Sequence, residues 1–251
     1  MNVGEVAIVL GVGLVAGAVN SVAGGGTLIT YPTLVFVGLD PVVANATSTL
    51  ALWPGYVSAT AGFRRELAGT RRLLVRLALP SLAGGILGAV LLLLTSNQTF
   101  AILAPFLILG ASVLLLLQER AGPDPQGNRV PAATAGLVAW QFFAAVYGGY
   151  FGAGLGFVLL VGYGLFGNRD FLQSSGLKNA TTVLINGVAL VYFIVRGAVR
   201  WADGLAMAVG AVAGGYAGAS LARRVGARRI RRIVVAFGFV MSVVLLVRAL
   251  T

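Results

Sequence analysis

NSVAGGGTLITYP, residues 20–32, decides the fold, because three consecutive glycines interrupt a long apolar run there. The run extends over residues 6–37. Glycine adopts turn conformations that other residues avoid, so a helix is readily broken at such a sequence. A second apolar run, residues 130–166, is interrupted in the same way by the glycine-rich stretches 148–149 and 152–156. The sequence therefore predicts two glycine-broken helices.

The composition is that of a protein embedded in a membrane. Hydrophobic residues make up 58% of the 251 residues and charged residues only 10%, against about 25% charged in soluble proteins. The mean hydropathy is +0.94. These values exclude a soluble globular enzyme, a disordered protein and a disulfide-rich secreted domain. Because a helix needs about 20 apolar residues to cross the hydrocarbon, the chain has room for about eight apolar segments.

Three short sequences recur in the same order in the two parts of the chain. AGGILGA at 83–89 is followed by AGGYAGA at 213–219, and NATS at 45–48 by NATT at 179–182. The glycines at 24–26 correspond to GAG at 152–154. All three offsets are about 130 residues, which indicates an internal repeat. We therefore divide the chain into a first repeat, 1–120, a linker, 121–129, and a second repeat, 130–251.

Three unbroken apolar segments follow the broken helix in each repeat. They are residues 41–63, 73–94 and 100–117 in the first repeat, and 177–195, 201–222 and 230–250 in the second. Two arginine clusters lie between these segments and are expected to face the cytoplasm. The first cluster is Arg64, Arg65, Arg71, Arg72 and Arg76, and the second is Arg223, Arg224, Arg228, Arg229, Arg231 and Arg232.

Both clusters face the cytoplasm only if each broken helix enters and leaves the membrane on one side. The linker then also lies inside, and the uncharged loop 95–99 lies outside. Three full crossings remain in each repeat, and an odd number inverts the second repeat relative to the first. The predicted fold is an all-α polytopic membrane protein with two inverted repeats. Each repeat consists of a glycine-broken, re-entrant helical hairpin and three transmembrane helices.

Several residue types near the breaks are suited to binding a small anion. A helix that restarts after a break presents free N–H groups and a positive dipole end. Amides and hydroxyls donate hydrogen bonds without bringing a full charge into the membrane. The candidate substrate-binding residues are Asn20, Ser21, Gly24, Gly25, Gly26, Asn45, Thr47, Ser48, Gly152, Gly154, Gly156, Lys178, Asn179, Thr181 and Thr182.

Each of these candidates also has a purely structural interpretation. The glycines serve close helix packing, and the Asn, Ser and Thr residues cap helices or bond between them. Lys178, the only lysine, is either a snorkelling anchor or a positive charge for the substrate. Gln141 is a weaker candidate. We expect packing alone for the glycines of the paired small-residue motifs, Gly84, Gly85, Gly88, Gly210, Gly214 and Gly218.

The residues that are missing narrow the function further. The chain has no cysteine and no histidine, and its seven acidic residues lie in loops or near the ends of apolar segments. We therefore predict no metal, no cofactor and no enzymatic activity, because no nucleophile–base pair or metal site can be assembled. The formal net charge of +11 is attributed to cytoplasmic loops and not to nucleic-acid binding.

The motifs taken together resemble the TauE/SafE sulfite exporter family of bacterial and archaeal membrane proteins. The likeness is carried by residues 20–32, ANATS at 44–48, GAGLG at 152–156 and LKNAT at 177–181. It implies an inner-membrane permease that moves sulfite, thiosulfate or sulfonates, usually outward. The second repeat has no proline at the position of Pro32 and fewer polar residues, so the two repeats are not expected to contribute equally.

We therefore predict an exporter of small sulfur-containing or organic oxyanions, working by alternating access around a site near the membrane midplane. The expected partners are the anionic substrate and the lipid bilayer. Two alternatives remain open at this point: a passive anion channel of the same fold, and a membrane scaffold that transports nothing. The sequence leaves the substrate, the direction, the coupling ion and any homo-oligomer undetermined.

Overall fold

The computed structural model describes residues 3–23, 25–120, 134–166, 171–225 and 227–250, which are helical almost throughout and contain no strand. The predicted all-α class is confirmed for this part of the chain. The helices are α1 (Val3–Ala23), α2 (Thr27–Phe36), α3 (Pro41–Gly62), α4 (Arg64–Ala68), α5 (Arg71–Leu94), α6 (Asn97–Arg120), α7 (Ala135–Tyr150), α8 (Leu155–Leu165), α9 (Phe171–Val195), α10 (Trp201–Val225) and α11 (Ala227–Leu250).

Four segments in the described residues are long and apolar enough to cross a membrane. They are Arg71–Leu94, Asn97–Leu117, Gln173–Val195 and Arg232–Leu250, in α5, α6, α9 and α11. Helices α3 and α10 have 22 and 25 residues. By contrast, α2 and α8 have only 10 and 11 residues, which is about half of what a crossing helix needs. The chain is thus a helical, multi-pass membrane protein.

Small residues bring α1 and α10 into direct backbone contact. A Cβ added at Gly13 would meet the carbonyl of Met207, and one added at Gly17 would meet that of Ala211. Because the residue numbers of both helices increase together along this contact, α1 and α10 run in the same direction. Gly210 and Gly214 lie equally close to the α1 backbone.

Helices α5 and α7 pack in the same way. A Cβ at Gly84 would lie 2.7 Å from the Ala145 side chain, and one at Gly88 would meet the Val146 carbonyl. These helices therefore also run parallel. A Cβ at Gly85 would lie 2.9 Å from the Ile185 carbonyl of α9. The packing role predicted for the small-residue motifs is confirmed at their described positions, whereas the surroundings of Gly218 lie outside the described residues.

Helices α7 and α8 form an antiparallel hairpin. The Trp140 indole N–H donates to the Val158 carbonyl at 3.0 Å, and a Cβ at Gly136 would lie 2.6 Å from the Phe166 ring. The turn between the helices contains Gly152 and Gly154, with φ of 77° and 69°. L-residues with a side chain rarely adopt such angles, so glycine is required there.

The ends of several helices meet at one end of the bundle, which we call the Asn97 end. The Asn97 side chain accepts a hydrogen bond from the Val42 N–H at 3.1 Å, next to the start of α3. The Arg248 guanidinium of α11 lies 5.3 Å from the centre of the Phe36 ring, at the end of α2. We call the opposite end, where α4 lies, the Arg64 end.

The two hairpins open at opposite ends of the bundle. Helix α10 begins at the Asn97 end, where the Arg200 N–H bonds to Thr47 in the first part of α3, and α1 runs parallel to α10. Helices α1 and α2 therefore form a hairpin that opens at this end. Helix α5 begins at the Arg64 end, and α7 runs parallel to it, so the α7–α8 hairpin opens at that end.

Both glycine breaks reach the same part of α6. A Cβ at Gly25 would lie 2.9 Å from Leu115 Cδ1, and one at Gly154 would lie 3.3 Å from Ala111 Cβ. Leu115 and Ala111 are about one helical turn apart, just past the middle of α6. The breaks therefore lie at similar depths in the bundle.

Candidate functional site

The first break is closed by side chains of α2 and α3. The Thr30 and Ser48 hydroxyls are hydrogen-bonded at 2.5 Å and join α2 to α3. Thr30 Oγ1 also donates to the Gly26 carbonyl at 3.2 Å. A Cβ at Gly26 would lie 3.1 Å from Leu52 Cδ2. The predicted candidates Ser48 and Gly26 are thus engaged in contacts within the first repeat.

Asn45 and Thr47 connect α3 to the second repeat. The Asn45 side chain, only 1% exposed, donates to the Tyr150 carbonyl at 2.9 Å. Thr47 Oγ1 accepts a hydrogen bond from the Arg200 N–H at 3.1 Å. Both bonds lie near the Asn97 end, so these two candidates hold that end of the bundle together.

The remaining candidates of the first repeat are described in part. Asn20 Oδ1 accepts a hydrogen bond from the Tyr56 hydroxyl at 3.4 Å. Gly25 is surrounded by the apolar side chains of Leu115, Val234 and Leu28. The Ser21 side chain and Gly24 lie outside the described residues.

The second break faces polar side chains of α9. A Cβ at Gly152 would lie 3.9 Å from Asn186 Oδ1. A Cβ at Gly156 would lie 3.1 Å from Lys178 Cδ and 3.7 Å from its Nζ. The lysine side chain therefore extends along the start of α8. At this start and in the turn before it, three backbone N–H groups, those of Ala153, Gly154 and Gly156, have no acceptor among the described residues.

Four residues of α9 form a polar row that we call the α9 stripe: Lys178, Asn179, Thr182 and Asn186. Their spacing places them on one face of the helix. Asn179, Thr182 and Asn186 are 6%, 2% and 8% exposed, and the Thr182 hydroxyl is buried without a hydrogen-bond partner. Within the described ranges, the two amides also have no side-chain partner, and no carboxylate lies within 4 Å of the Lys178 ammonium.

Thr181 points into a different network. Its hydroxyl is hydrogen-bonded to the Tyr163 hydroxyl at 3.0 Å and to the Leu177 carbonyl at 2.9 Å. Tyr163 donates to Gln141 Oε1 at 3.1 Å, and Gln141 Nε2 donates to Ser81 at 2.9 Å. The candidates Thr181 and Gln141 thus tie together α5, α7, α8 and α9.

The structure does not bring Asn45 and Asn179 into one cluster. The Trp53 indole N–H donates to the Val183 carbonyl at 3.1 Å, where the antiparallel helices α3 and α9 meet. Asn45 lies on the Asn97 side of this contact and Asn179 on the Arg64 side. Their positions in the two helices correspond to a separation of about 18 Å along the axes.

An aromatic cluster closes the Asn97 end above the second break. Tyr31 packs edge-on against Phe151 at 5.6 Å and Phe100 at 5.9 Å, and Phe100 packs against Tyr150 at 5.6 Å. Beyond it lies a cavity of about 270 Å³ whose lining includes Tyr31 and Arg248. The cluster therefore separates this cavity from the second break.

Among the buried polar residues that were not sequence candidates, Asn186 and Asp203 have side chains that are not fully bonded. Asn186 follows Asn179 by seven residues, which places both on one face of a helix, and this spacing would have identified Asn186 as a candidate. Asp203 is fully buried at the start of α10, bonded to Arg200 Nε through Oδ2 at 3.1 Å, while its Oδ1 has no partner. Because Asp203 lies near the end of an apolar segment, the sequence did not indicate that it would be buried. No cluster of acidic residues suited to a metal is present in the part of the chain that was described.

Comparisons with known proteins match the chain to a family of membrane transporters. A family model described as "Sulfite exporter TauE/SafE" matches residues 9–245. The chain is 28% identical over 236 residues to the "Probable membrane transporter protein" of Haemophilus influenzae, covering 94% of this chain and 92% of that protein. It is 31% identical over 242 residues to the "Probable membrane transporter protein YfcA" of Escherichia coli K12, covering 94% and 87%. No solved structure matches it.

Proposed function

Because the chain belongs to the TauE/SafE sulfite exporter family of membrane transporters, we propose that it exports small sulfur-containing or organic oxyanions such as sulfite or sulfonates. The observation that carries the proposal is the second break, where Lys178 lies beside Gly156 and the Asn186 amide lies beside Gly152, next to free N–H groups at the start of α8. Such a set of donors suits an oxyanion. The family and the helical membrane fold make an enzyme the least suitable interpretation.

The proposal includes two inverted repeats related by a pseudo-twofold axis. The pattern of helix contacts supports it. The pair α1 and α10 corresponds to α7 and α5, the pair α2 and α11 to α8 and α6, and α3 packs on its own counterpart α9. In this scheme the two hairpins are re-entrant and open to opposite sides of the membrane. Residues 1–120 and 130–251 are then the repeats, and 121–129 is a cytoplasmic linker.

We place the Arg64 end in the cytoplasm and the chain in the inner membrane. Arg64 and Arg65 lie at this end, and Arg71, Arg72 and Arg76 begin α5 there. Helix α10 runs from the Asn97 end toward this end, and the second arginine cluster lies in the last part of α10 and the first part of α11. Positive residues are enriched on the cytoplasmic side of membrane proteins, and this arrangement supports the orientation.

Alternating access is the proposed mechanism. In the described state the aromatic cluster of Tyr31, Phe100, Tyr150 and Phe151 blocks the Asn97 side, and the Asn45–Tyr150 hydrogen bond holds it closed. Lys178, on the Arg64 side of the break, is partly exposed. Substrate would enter from the cytoplasm, and movement of one repeat against the other would open the Asn97 side.

A passive anion channel of the same fold is the second candidate. It is favoured by the absence of a carboxylate along the α9 stripe, since no coupling group is visible there. Flux that never saturates with substrate, or single-channel currents, would support the channel over the carrier. A scaffold without transport would instead co-purify with an obligate partner and show no flux alone.

The test is sulfite transport by the full chain reconstituted in liposomes. Labelled sulfite is measured with sulfate and a short sulfonate as competitors, with and without a pH gradient. We expect saturable sulfite flux, and a reduction of about tenfold or more in Asn179→Ala, because each hydrogen bond to an anion contributes about 1.5–3 kcal/mol. Asn45→Ala is expected to reduce flux by loosening the closed Asn97 end. No flux of any of the three anions would refute the proposal.

A further inference from the structure

The counterparts of the α9 stripe in the first repeat are different residues. At the offset that aligns Asn45 with Asn179, Lys178 corresponds to Ala44, Thr182 to Ser48 and Asn186 to Leu52. Ala44 and Leu52 are buried apolar residues, at 0% and 2% exposure. The cation and the second amide are therefore present on one side of the pseudo-twofold axis only.

The contrast between Leu52 and Asn186 lies at the glycine breaks. Leu52 packs on Gly26, with 3.1 Å between Leu52 Cδ2 and the Cβ position, whereas Asn186 Oδ1 faces Gly152. Ser48 is bonded to Thr30 at 2.5 Å, whereas the Thr182 hydroxyl is buried without a partner. Buried polar groups in membrane proteins are normally satisfied. The Asn186 amide is 8% exposed, faces the second break and has no side-chain partner among the described residues, so a polar ligand in the break would complete it.

We propose that the oxyanion is bound by the second repeat alone, between the α9 stripe and the first turn of α8, with Asn186 as a binding residue at the inner end of the site. This inference rests on the proposed function. Lys178 supplies the charge beside Gly156, and Thr182 and Asn179 donate hydrogen bonds along the stripe. The free N–H groups of Ala153, Gly154 and Gly156 are further donors beside the positive end of the α8 dipole.

The site is anion-selective because of the groups that surround it. Lys178 has no carboxylate within 4 Å among the described residues, so its charge is not neutralised by the protein. An unpaired ammonium inside a membrane protein is costly unless it is compensated. A bound oxyanion of one or two charges provides that compensation, whereas a metal cation would be repelled.

The inference is tested with sulfite as the probe, on the purified full chain in lipid nanodiscs. Affinity is measured by calorimetry and by the fluorescence of Trp53 and Trp140, whose indoles are bonded to α9 and α8. We expect Lys178→Met and Asn186→Leu each to weaken sulfite binding by about tenfold or more. Lys178→Arg, which keeps the charge, should remain within about threefold of the wild type.

Two control variants separate binding from general effects. Arg76→Met removes the same charge from an exposed position on α5, and Thr33→Val removes a hydroxyl that bonds only within α2. Both should keep the wild-type affinity. Melting temperatures of all variants are measured, so that a misfolded protein is recognised and replaced by Lys178→Gln or Asn186→Ala.

The outcomes distinguish this inference from the proposed function. If the wild type transports sulfite with saturable flux, but Lys178→Met and Asn186→Leu keep its KM and affinity within twofold, the one-sided site is wrong and the transport function stands. If the wild type neither binds nor transports sulfite, sulfate or a short sulfonate, both are wrong. Weakened binding in both variants, with unchanged controls, supports the inference.

Discussion

In the first hairpin Gly26 packs against Leu52, whereas in the second hairpin Gly152 faces the Asn186 amide. The two breaks lie within about one helical turn of each other along α6 and were built from similar sequences. One is filled by apolar side chains and satisfied hydroxyls, and the other retains unpaired donors and a lysine. Two breaks with similar glycine sequences thus have different surroundings, apolar at Gly26 and polar at Gly152.

The largest effect is expected when the second break is given the residues of the first. The double substitution of Lys178→Ala and Asn186→Leu removes the cation and one amide from the α9 stripe. Sulfite flux at low concentration should fall by about 100-fold, because two charge-assisted hydrogen bonds are lost. The melting temperature should be unchanged or higher, since an unpaired buried amide is replaced by an apolar side chain.

This prediction is checked by measuring sulfite flux in proteoliposomes and the melting temperature on the same preparation. Arg76→Ala combined with Leu205→Ala, an exposed pair of positions on α5 and α10, is the matched control and should keep wild-type flux. A double variant of the second break that transports sulfite normally would remove the functional difference between the two repeats.

The reciprocal change should act on stability. Leu52→Asn places an unpaired amide against Gly26, in a setting filled by Leu115 and Val234 near Gly25. We expect the protein to be destabilised by about 2–3 kcal/mol, from lost packing and an unsatisfied buried amide. Leu52→Met keeps volume and apolarity and should cost less than about 1.5 kcal/mol.

Unfolding in increasing denaturant, followed by Trp fluorescence, measures the difference between Leu52→Asn and Leu52→Met. If Leu52→Asn were as stable as the wild type and bound sulfite more tightly, the first break would be a second binding position, and the one-sided description would be incorrect.

The small-residue contacts could be predicted from the sequence, because they depend on glycine spacing. Gly84 and Gly88 were expected to pack, and they meet the α7 backbone. The unequal chemistry of the breaks was harder to predict, because it depends on which partner each side chain finds. Ser48 and Thr182 occupy matching positions, but only Ser48 lies beside a hydroxyl, that of Thr30.

Asn45 and Asn179 illustrate the same limit. Their sequences match, and both were predicted to bind one substrate near the midplane. In the fold the inverted directions of α3 and α9 carry them to opposite sides of the Trp53–Val183 contact. A sequence repeat identifies equivalent positions, but the depth of each position depends on the direction in which its helix runs.

The smallest effect is expected from removing one hydroxyl in each repeat. Ser48→Ala breaks the bond to Thr30, leaves that buried hydroxyl with only the Gly26 carbonyl, and should destabilise the protein by about 1 kcal/mol. Thr182→Val removes a hydroxyl that has no partner and keeps the side-chain volume, so the stability of the unliganded protein should be unchanged or slightly higher. With sulfite present, Thr182→Val should become less stable than the wild type, because the wild type gains more stability from the ligand than Thr182→Val does. Equal ligand-induced shifts in melting temperature for Thr182→Val and the wild type would mean that the unpaired hydroxyl does not contact the anion.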